Sequence, residues 1–211
     1  MEKKYRYLGY SLFLLIPLTF LGFFKTYFVQ FFNFNENIDS FVHLHALIAS
    51  IWIIILIAQP ILILNKKNKV HKRIGKISYI VFPLLILSFV PQMIKIANSE
   101  NVKNLFYPLA DCILLIIFYS LAIYNRKTAP KHMRYMIAIA LVFLGPTIGR
   151  INRILLGLSD LIGQNILYGI IYLILVTLVF YDKANKRSFK PYLFVLICYL
   201  GHQAIFHVVF I

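Results

Sequence analysis

The chain has 211 residues, of which 61% are hydrophobic and 16% aromatic, and its mean hydropathy is +0.79. One soluble core of this size cannot bury so much apolar surface, so the composition predicts a membrane protein. The formal net charge of +15 sits in short clusters between long apolar runs, a pattern typical of membrane anchoring and not of nucleic-acid binding.

Seven apolar segments are long enough to cross a hydrocarbon layer, which takes about 20 helical residues each. Their length without alternation predicts helices, because lipid cannot satisfy the backbone polar groups of irregular chain. The first run lacks a small-x-small cleavage site, so we expect a retained span and not a signal peptide. We predict an all-α, integral membrane seven-helix bundle forming one domain over residues 1–211, with helices at about 7–27, 41–64, 74–96, 105–125, 133–156, 162–181 and 190–211.

Orientation follows from the positive charges, which concentrate on the cytoplasmic side of membrane proteins. Seventeen of the 22 Lys and Arg residues fall in the N-terminal tail and in three alternate loops. The pattern predicts a cytoplasmic N-terminus and an outer C-terminus. The basic residues of the predicted inner side are Lys3, Lys4, Arg6, Lys66, Lys67, Lys69, Lys72, Arg73, Lys76, Arg126, Lys127, Lys131, Arg134, Lys183, Lys186, Arg187 and Lys190.

Nearly all polar side chains within the predicted spans lie toward the outer ends of the helices. Ionisable groups there are costly and usually face a bundle interior or a cavity, so they predict a ligand pocket. Because Asp111 is the only acid inside a predicted span, we expect it to pair with Arg150 or to share a ligand with it. The predicted pocket residues are His43, His45, Asp111, Arg150, Arg153, His202 and His207.

The histidine spacing restricts the chemistry of this pocket. His43 and His45 are about 200° apart around a helix, and His202 and His207 about 140° apart, so neither pair forms a chelate. One histidine from helix two and one from helix seven would suit the axial positions of a haem, with Arg150 and Arg153 at its propionates. The same histidines with Asp111 would alternatively hold zinc. The candidate metal ligands are His43, His202 and His207.

Two basic segments precede the third and fifth helices. We predict that both are solvated loops that contact anionic lipid headgroups on the cytoplasmic face. The residues of these loops that we predict to face the lipid are His71, Lys72, Arg73, His132 and Arg134.

Three pieces of the sequence resemble an uncharacterised family of bacterial multi-pass membrane proteins: HLHALIASIWIIILIAQPILI, HKRIGKISYIVFPLLILS and HMRYMIAIALVFLGPTIGRI. The shared features are a His before helix two, a Gln near its end, an H-[KR]-R-x-G loop and an Arg after a Gly-Pro bend. This resemblance implies no known activity. The positions it marks are His43 or His45, Gln59, His71, Arg73, Gly75, His132, Arg134 and Arg150.

A second resemblance lies in helix seven, where GHQAIFH is similar to the paired-histidine motif of seven-helix progestin-receptor and ceramidase-like hydrolases. That resemblance implies a zinc site, with Ser50 and Asp111 as its remaining members. Here the histidines are five residues apart instead of four, and the predicted topology places them toward the outside.

Three classes of function therefore stay open: a haem or small-ligand site of redox type, a zinc-dependent intramembrane lipid hydrolase, and a non-catalytic assembly or transport protein. The expected location is a bacterial-type inner (plasma) membrane.

Overall fold

The computed structural model describes residue 5 and residues 7–32 and 39–211. Seven helices in this part of the chain are long and apolar enough to cross a membrane, and it contains no strand, so the predicted all-α class with seven spans is confirmed. Lys3, Lys4 and Arg6, which support the predicted orientation, lie outside the described residues.

The helices are numbered in chain order. The first span contains α1, α2 and a π-helical turn, and the fifth contains α7, α8 and a second π-helical turn. The bounds are α1 Leu8–Leu12, α2 Leu15–Phe23, π1 Phe24–Phe28, α3 Val29–Phe32, α4 Ser40–Leu64, α5 Asn68–Ala97, a 3-10 turn Val102–Leu105, α6 Phe106–Tyr124, α7 Ala129–Val142, α8 Leu144–Arg150, π2 Ile151–Leu155, α9 Asp160–Ala184 and α10 Lys190–Phe210.

Contacts divide the chain into two compact units, Met1–Pro108 and Leu109–Ile211. In the first unit, α4 and α5 form an antiparallel pair and α1 packs against α4. A Cβ atom on Gly9 would lie 2.6 Å from Cγ1 of Ile61 and 3.2 Å from Cγ of Pro60. Glycine therefore permits the close approach of α1 to the C-terminal end of α4.

The basic segment before the third span is helical, which corrects the predicted loop. Only three residues separate α4 from α5, and α5 begins at Asn68, so His71, Lys72 and Arg73 belong to its first turns. Lysine and arginine are good helix formers, and a helix continues beyond the apolar length that hydropathy detects. Likewise α7 begins at Ala129, which makes His132 and Arg134 helical.

In the second unit α9 packs against α8 and α10, and α10 also packs against α7. The fifth span is interrupted at Phe143, between α7 and α8. Pro146 explains the interruption, because its ring and its missing N–H exclude a regular hydrogen bond to Val142, the last residue of α7. The helix is thus interrupted close to the Gly145-Pro146 pair, and the size of any bend there stays a prediction.

Candidate functional site

A buried polar chain links three helices of the second unit. The Tyr168 hydroxyl of α9 lies 2.7 Å from Nδ1 of His202 on α10. Nε2 of the same ring lies 4.0 Å from Oδ1 of Asp111 on α6. Tyr168 is 1% exposed and His202 8% exposed, whereas the Asp111 side chain is 21% exposed. The chain thus runs from the interior of the unit toward its surface.

We assign the tautomer of His202 from its hydrogen bond to Tyr168, in which either group is able to donate. An unprotonated imidazole nitrogen accepts well from a phenolic O–H, so we assign Tyr168 as the donor and Nδ1 as the acceptor. The proton of neutral His202 then resides on Nε2, which faces Asp111. At 4.0 Å this contact is too long for a direct hydrogen bond, and one oxygen atom about 2.8 Å from each group would bridge it.

The interrupted fifth span passes close to Asp111. A Cβ atom on Gly145 would lie 3.4 Å from Oδ2 of Asp111, which is ordinary van der Waals contact. Arg150 donates from Nη1 to the Pro146 carbonyl at 3.0 Å and interacts with Asp111 electrostatically at longer range. Arg153, also predicted for the pocket, is exposed and lies 3.9 Å from Asp160 Oδ1.

His207 belongs to a separate polar network between α9 and α10. Its Nε2 lies 3.1 Å from Asn165 Oδ1, which also accepts from Gln203 Nε2 at 2.9 Å. Tyr172 donates to Gln203 Oε1 at 2.7 Å. His202 and His207 thus have different partners, in agreement with their angular separation on the helix.

The two histidines of helix two lie in the first unit and face different neighbours. His43 Nδ1 lies 2.9 Å from the Tyr27 hydroxyl, whereas His45 Nδ1 lies 2.8 Å from Oγ of Ser88 and its ring meets Phe89 edge-on. The proposal that a histidine of helix two shares a ligand with one of helix seven stays a prediction.

Arg134 is fully buried, so its predicted contact with lipid headgroups is wrong. It forms a bidentate ion pair with Asp182 of α9, in which Nε donates to Oδ2 at 2.7 Å and Nη2 donates to Oδ1 at 2.9 Å. Both side chains are 0% exposed. A third bond from Nη1 reaches the Pro130 carbonyl, and the guanidinium lies 5.8 Å from the centre of the Tyr192 ring. A buried guanidinium requires such complete pairing.

The other residues of the two basic segments that were predicted to face lipid differ in their burial. His132 is partly buried, and its Nδ1 bonds the Ala122 carbonyl at 2.8 Å, which joins α7 to α6. The His71 carbonyl accepts from Nε2 of buried Gln59 at 3.3 Å, whereas Lys72 and Arg73 are exposed. Gly75 lies beside that amide, since a Cβ atom on it would be 3.9 Å from Nε2 of Gln59.

Three important residues escaped the sequence argument. Asp182 lies one residue beyond the predicted end of its span, so Asp111 was taken as the only intramembrane acid. Tyr168 and Tyr199 are among 14 tyrosines, most of which could serve as interfacial anchors. Their position could have distinguished these two tyrosines from interfacial ones, because both lie well inside α9 and α10 and not at a helix end.

Among the described residues, no group of three or more His, Cys, Asp or Glu side chains is placed to hold a metal ion. No known protein family, curated protein or solved structure matches the chain. The functional argument therefore depends on the second unit's polar cluster, which we define as Asp111, Arg150, Tyr168, Tyr199 and His202.

Proposed function

We propose that this multi-pass membrane protein binds a small ligand at the polar cluster and exchanges a proton with it. The observation that supports this is the ordered series Tyr168, His202 and Asp111, in which His202 Nε2 and Asp111 Oδ1 are 4.0 Å apart. A ligand hydroxyl that bridged these two atoms would accept a hydrogen bond from His202 Nε2–H and donate one to the Asp111 carboxylate. Chains of neighbouring Asp and His side chains inside a membrane commonly form proton relays.

The site lies in the half of the membrane that the charge pattern predicts to be outer, and a plasma membrane is the proposed location. Asp111 is the group that meets the ligand, since it is the most exposed member of the relay. Arg150 lies within electrostatic range of the Asp111 carboxylate and favours its charged form. Asp111 takes the proton from the ligand or returns it, His202 Nε2–H donates a hydrogen bond to the same ligand oxygen, and Tyr168 orients the imidazole ring.

The geometry favours this proposal over the two cofactor hypotheses. A porphyrin lies across the axis of its ligand, so a haem on His202 Nε2 would displace the side chains that bury the ring. A catalytic zinc takes three protein ligands, and in the part of the chain that the structure describes no third His, Cys, Asp or Glu side chain joins Asp111 and His202. An intense Soret band or a full equivalent of zinc in purified protein would contradict our proposal.

The proposal is tested by infrared difference spectroscopy of the protein in lipid nanodiscs, between acidic and neutral pH. We expect a carboxylic acid C=O band that is lost in Asp111→Asn and shifted in His202→Gln, because the imidazole faces that carboxyl group. Asp160→Asn removes an exposed acid and serves as the control, which should leave this band unchanged. If the Asp111→Asn spectrum equals the wild-type spectrum, Asp111 exchanges no proton and the proposal fails.

A partner proposal concerns the start of α5. Exposed Lys72 and Arg73 support contact with anionic headgroups on the predicted cytoplasmic face. Each basic residue near such a surface contributes about 1 kcal/mol.

A further inference from the structure

The ends of α4 and α9 on the predicted cytoplasmic side repeat one design. Both helices have 25 residues, Ser40–Leu64 in α4 and Asp160–Ala184 in α9. Each is followed by an asparagine and two basic residues, Asn65-Lys66-Lys67 after α4 and Asn185-Lys186-Arg187 after α9. The same residue types at the same place in two membrane spans indicate a shared role.

Both turns close their helix with a Schellman motif. After α4, the backbone N–H of Lys66 donates to the Ile63 carbonyl at 3.0 Å. The next N–H, of Lys67, donates to the Leu62 carbonyl at 2.8 Å, and the equivalent bonds after α9 are 3.1 and 2.9 Å long. The backbone of each turn thus supplies the donors for these carbonyl groups, so the helix ends do not require a lysine ammonium group as a cap.

Lysine is an unusual residue at the central position of this motif. Lys66 has a φ of 58° and Lys186 a φ of 51°, in the left-handed region that glycine adopts without strain. A signal for membrane orientation does not explain the choice, because it depends on how many basic residues flank a span and not on which of them is left-handed. A strained lysine at both positions therefore indicates a ligand for its side chain.

These side chains are accessible to an anion at the membrane surface. Lys66, Lys67 and Lys186 are exposed, and none of them forms an ion pair within the part of the chain that the structure describes. The acid nearest to Lys186 in sequence, Asp182, is fully buried against Arg134. Each turn follows a membrane span, at the level where lipid headgroups lie. Phosphate is the anion that these headgroups offer.

We propose that the turns at Lys66-Lys67 and Lys186-Arg187 each bind the phosphate group of one anionic phospholipid. The inference rests on the proposed contact of this membrane face with anionic headgroups, and it assigns two discrete sites there. The left-handed lysine and the basic residue that follows it donate charge-assisted hydrogen bonds to the phosphate oxygens. The acyl chains lie in the membrane beside the span.

The test combines native mass spectrometry, which counts retained lipids, with melting temperatures in phosphatidylcholine nanodiscs with and without phosphatidylglycerol. We expect phosphatidylglycerol to stabilise the wild type. Lys66→Gly and Lys186→Gly should each remove one retained phosphatidylglycerol and weaken its binding about fivefold, the factor expected for one basic residue at an anionic surface. In pure phosphatidylcholine both variants should be at least as stable as the wild type, because glycine relieves the left-handed strain.

Lys127→Gly is the matched control for charge. Lys127 is exposed in Asn125-Arg126-Lys127 after α6, a turn of the same residue types in which the structure shows no positive φ. This variant should retain as many phosphatidylglycerol molecules as the wild type. Equal losses in all three glycine variants would overturn the inference in favour of diffuse attraction. A Lys66→Gly protein less stable than wild type in pure phosphatidylcholine would also overturn it, since the lysine would then serve the helix end.

Inorganic phosphate separates a lipid site from a site for a soluble anion. At matched ionic strength it should neither stabilise the wild type in phosphatidylcholine nor displace retained phosphatidylglycerol. Stabilisation equal to that given by phosphatidylglycerol would overturn the assignment to lipid.

Failure of this inference and failure of the proposed headgroup contact give different results. Lys72→Gln with Arg73→Gln tests the contact at the start of α5. If this double variant loses phosphatidylglycerol but Lys66→Gly and Lys186→Gly do not, the contact stands and the discrete sites are wrong. If the wild type binds phosphatidylglycerol no better than phosphatidylcholine, both fail, while the proton exchange proposed for Asp111 is unaffected.

Discussion

Asp182 pairs with the buried guanidinium of Arg134 inside the second unit. Replacing Asp182 should therefore destabilise the protein strongly. In Asp182→Ala the guanidinium stays buried without its carboxylate, which typically costs about 3–5 kcal/mol. We expect a large fall in the melting temperature of the purified protein in detergent. Replacing both partners, as Arg134→Met with Asp182→Leu, should recover much of the loss, because no buried charge then remains unpaired.

The matched control is Asp160→Asn, because Asp160 pairs with Arg153 on the surface at 3.9 Å and both side chains are about half exposed. Exposed pairs contribute about 0–1 kcal/mol, so its melting temperature should change little. Equal effects of Asp182→Ala and Asp160→Asn would contradict a stabilising role for the buried pair.

The residues that the sequence could identify share one property, an ionisable group deep in an apolar run. Asp111, Arg150 and His202 were found in this way, and the structure places all three in one unit. Arg134 and Asp182 were misjudged because each lies at the end of its helix, where hydropathy cannot separate a buried charge from a solvated one. Tyr168 and Tyr199 carry no charge, so their depth within α9 and α10 could mark them as unusual for interfacial anchors, but their neighbours required coordinates.

At the scale of helices, α9 approaches π2 closely at a single glycine. A Cβ atom on Gly163 would lie 3.0 Å from Cβ of Asn152, and Asn152 Nδ2 donates to the Gly163 carbonyl at 2.8 Å. Gly163→Ala should therefore force the two segments apart and destabilise the protein by about 1–3 kcal/mol, as overpacking does. Thermal unfolding in nanodiscs measures this change.

Gly169→Ala provides the comparison within the same helix, since a Cβ atom there would meet nothing within 4 Å. Alanine is a better helix former than glycine by about 1 kcal/mol, so this variant should be neutral or more stable. A Gly163→Ala protein as stable as Gly169→Ala would show that the close approach to Asn152 is unimportant.

The number of helices was predictable because it depends on the number and length of apolar runs, which the sequence shows directly. The positions at which the helices begin and end were less predictable. The third span begins at Asn68 instead of about residue 74, and the fifth at Ala129 instead of about residue 133. Basic residues in those first turns keep helical backbone while their side chains reach polar surroundings, so hydropathy places each start too late.

At the scale of the whole molecule, the division of charge among the loops predicts the orientation. Lys66 follows α4 and Glu100 follows α5, so the two must lie on opposite sides of the membrane if α5 crosses it. The excess of Lys and Arg near Lys66 predicts that it is cytoplasmic. We expect the cysteine of Glu100→Cys, but not that of Lys66→Cys, to react with a membrane-impermeant maleimide in intact cells.

Both native cysteines lie inside spans, and Cys112→Ser with Cys198→Ser gives the background for this labelling. Lys186→Cys is the internal control, because residue 186 follows α9 and should behave like residue 66. Labelling of Lys66→Cys and Lys186→Cys in intact cells, with Glu100→Cys labelled only after permeabilisation, would reverse the orientation. Asp111 and His202 would then lie toward the cytoplasmic half of the membrane, and a ligand would have to reach them from that side, while the 4.0 Å distance between His202 Nε2 and Asp111 Oδ1 would be unchanged.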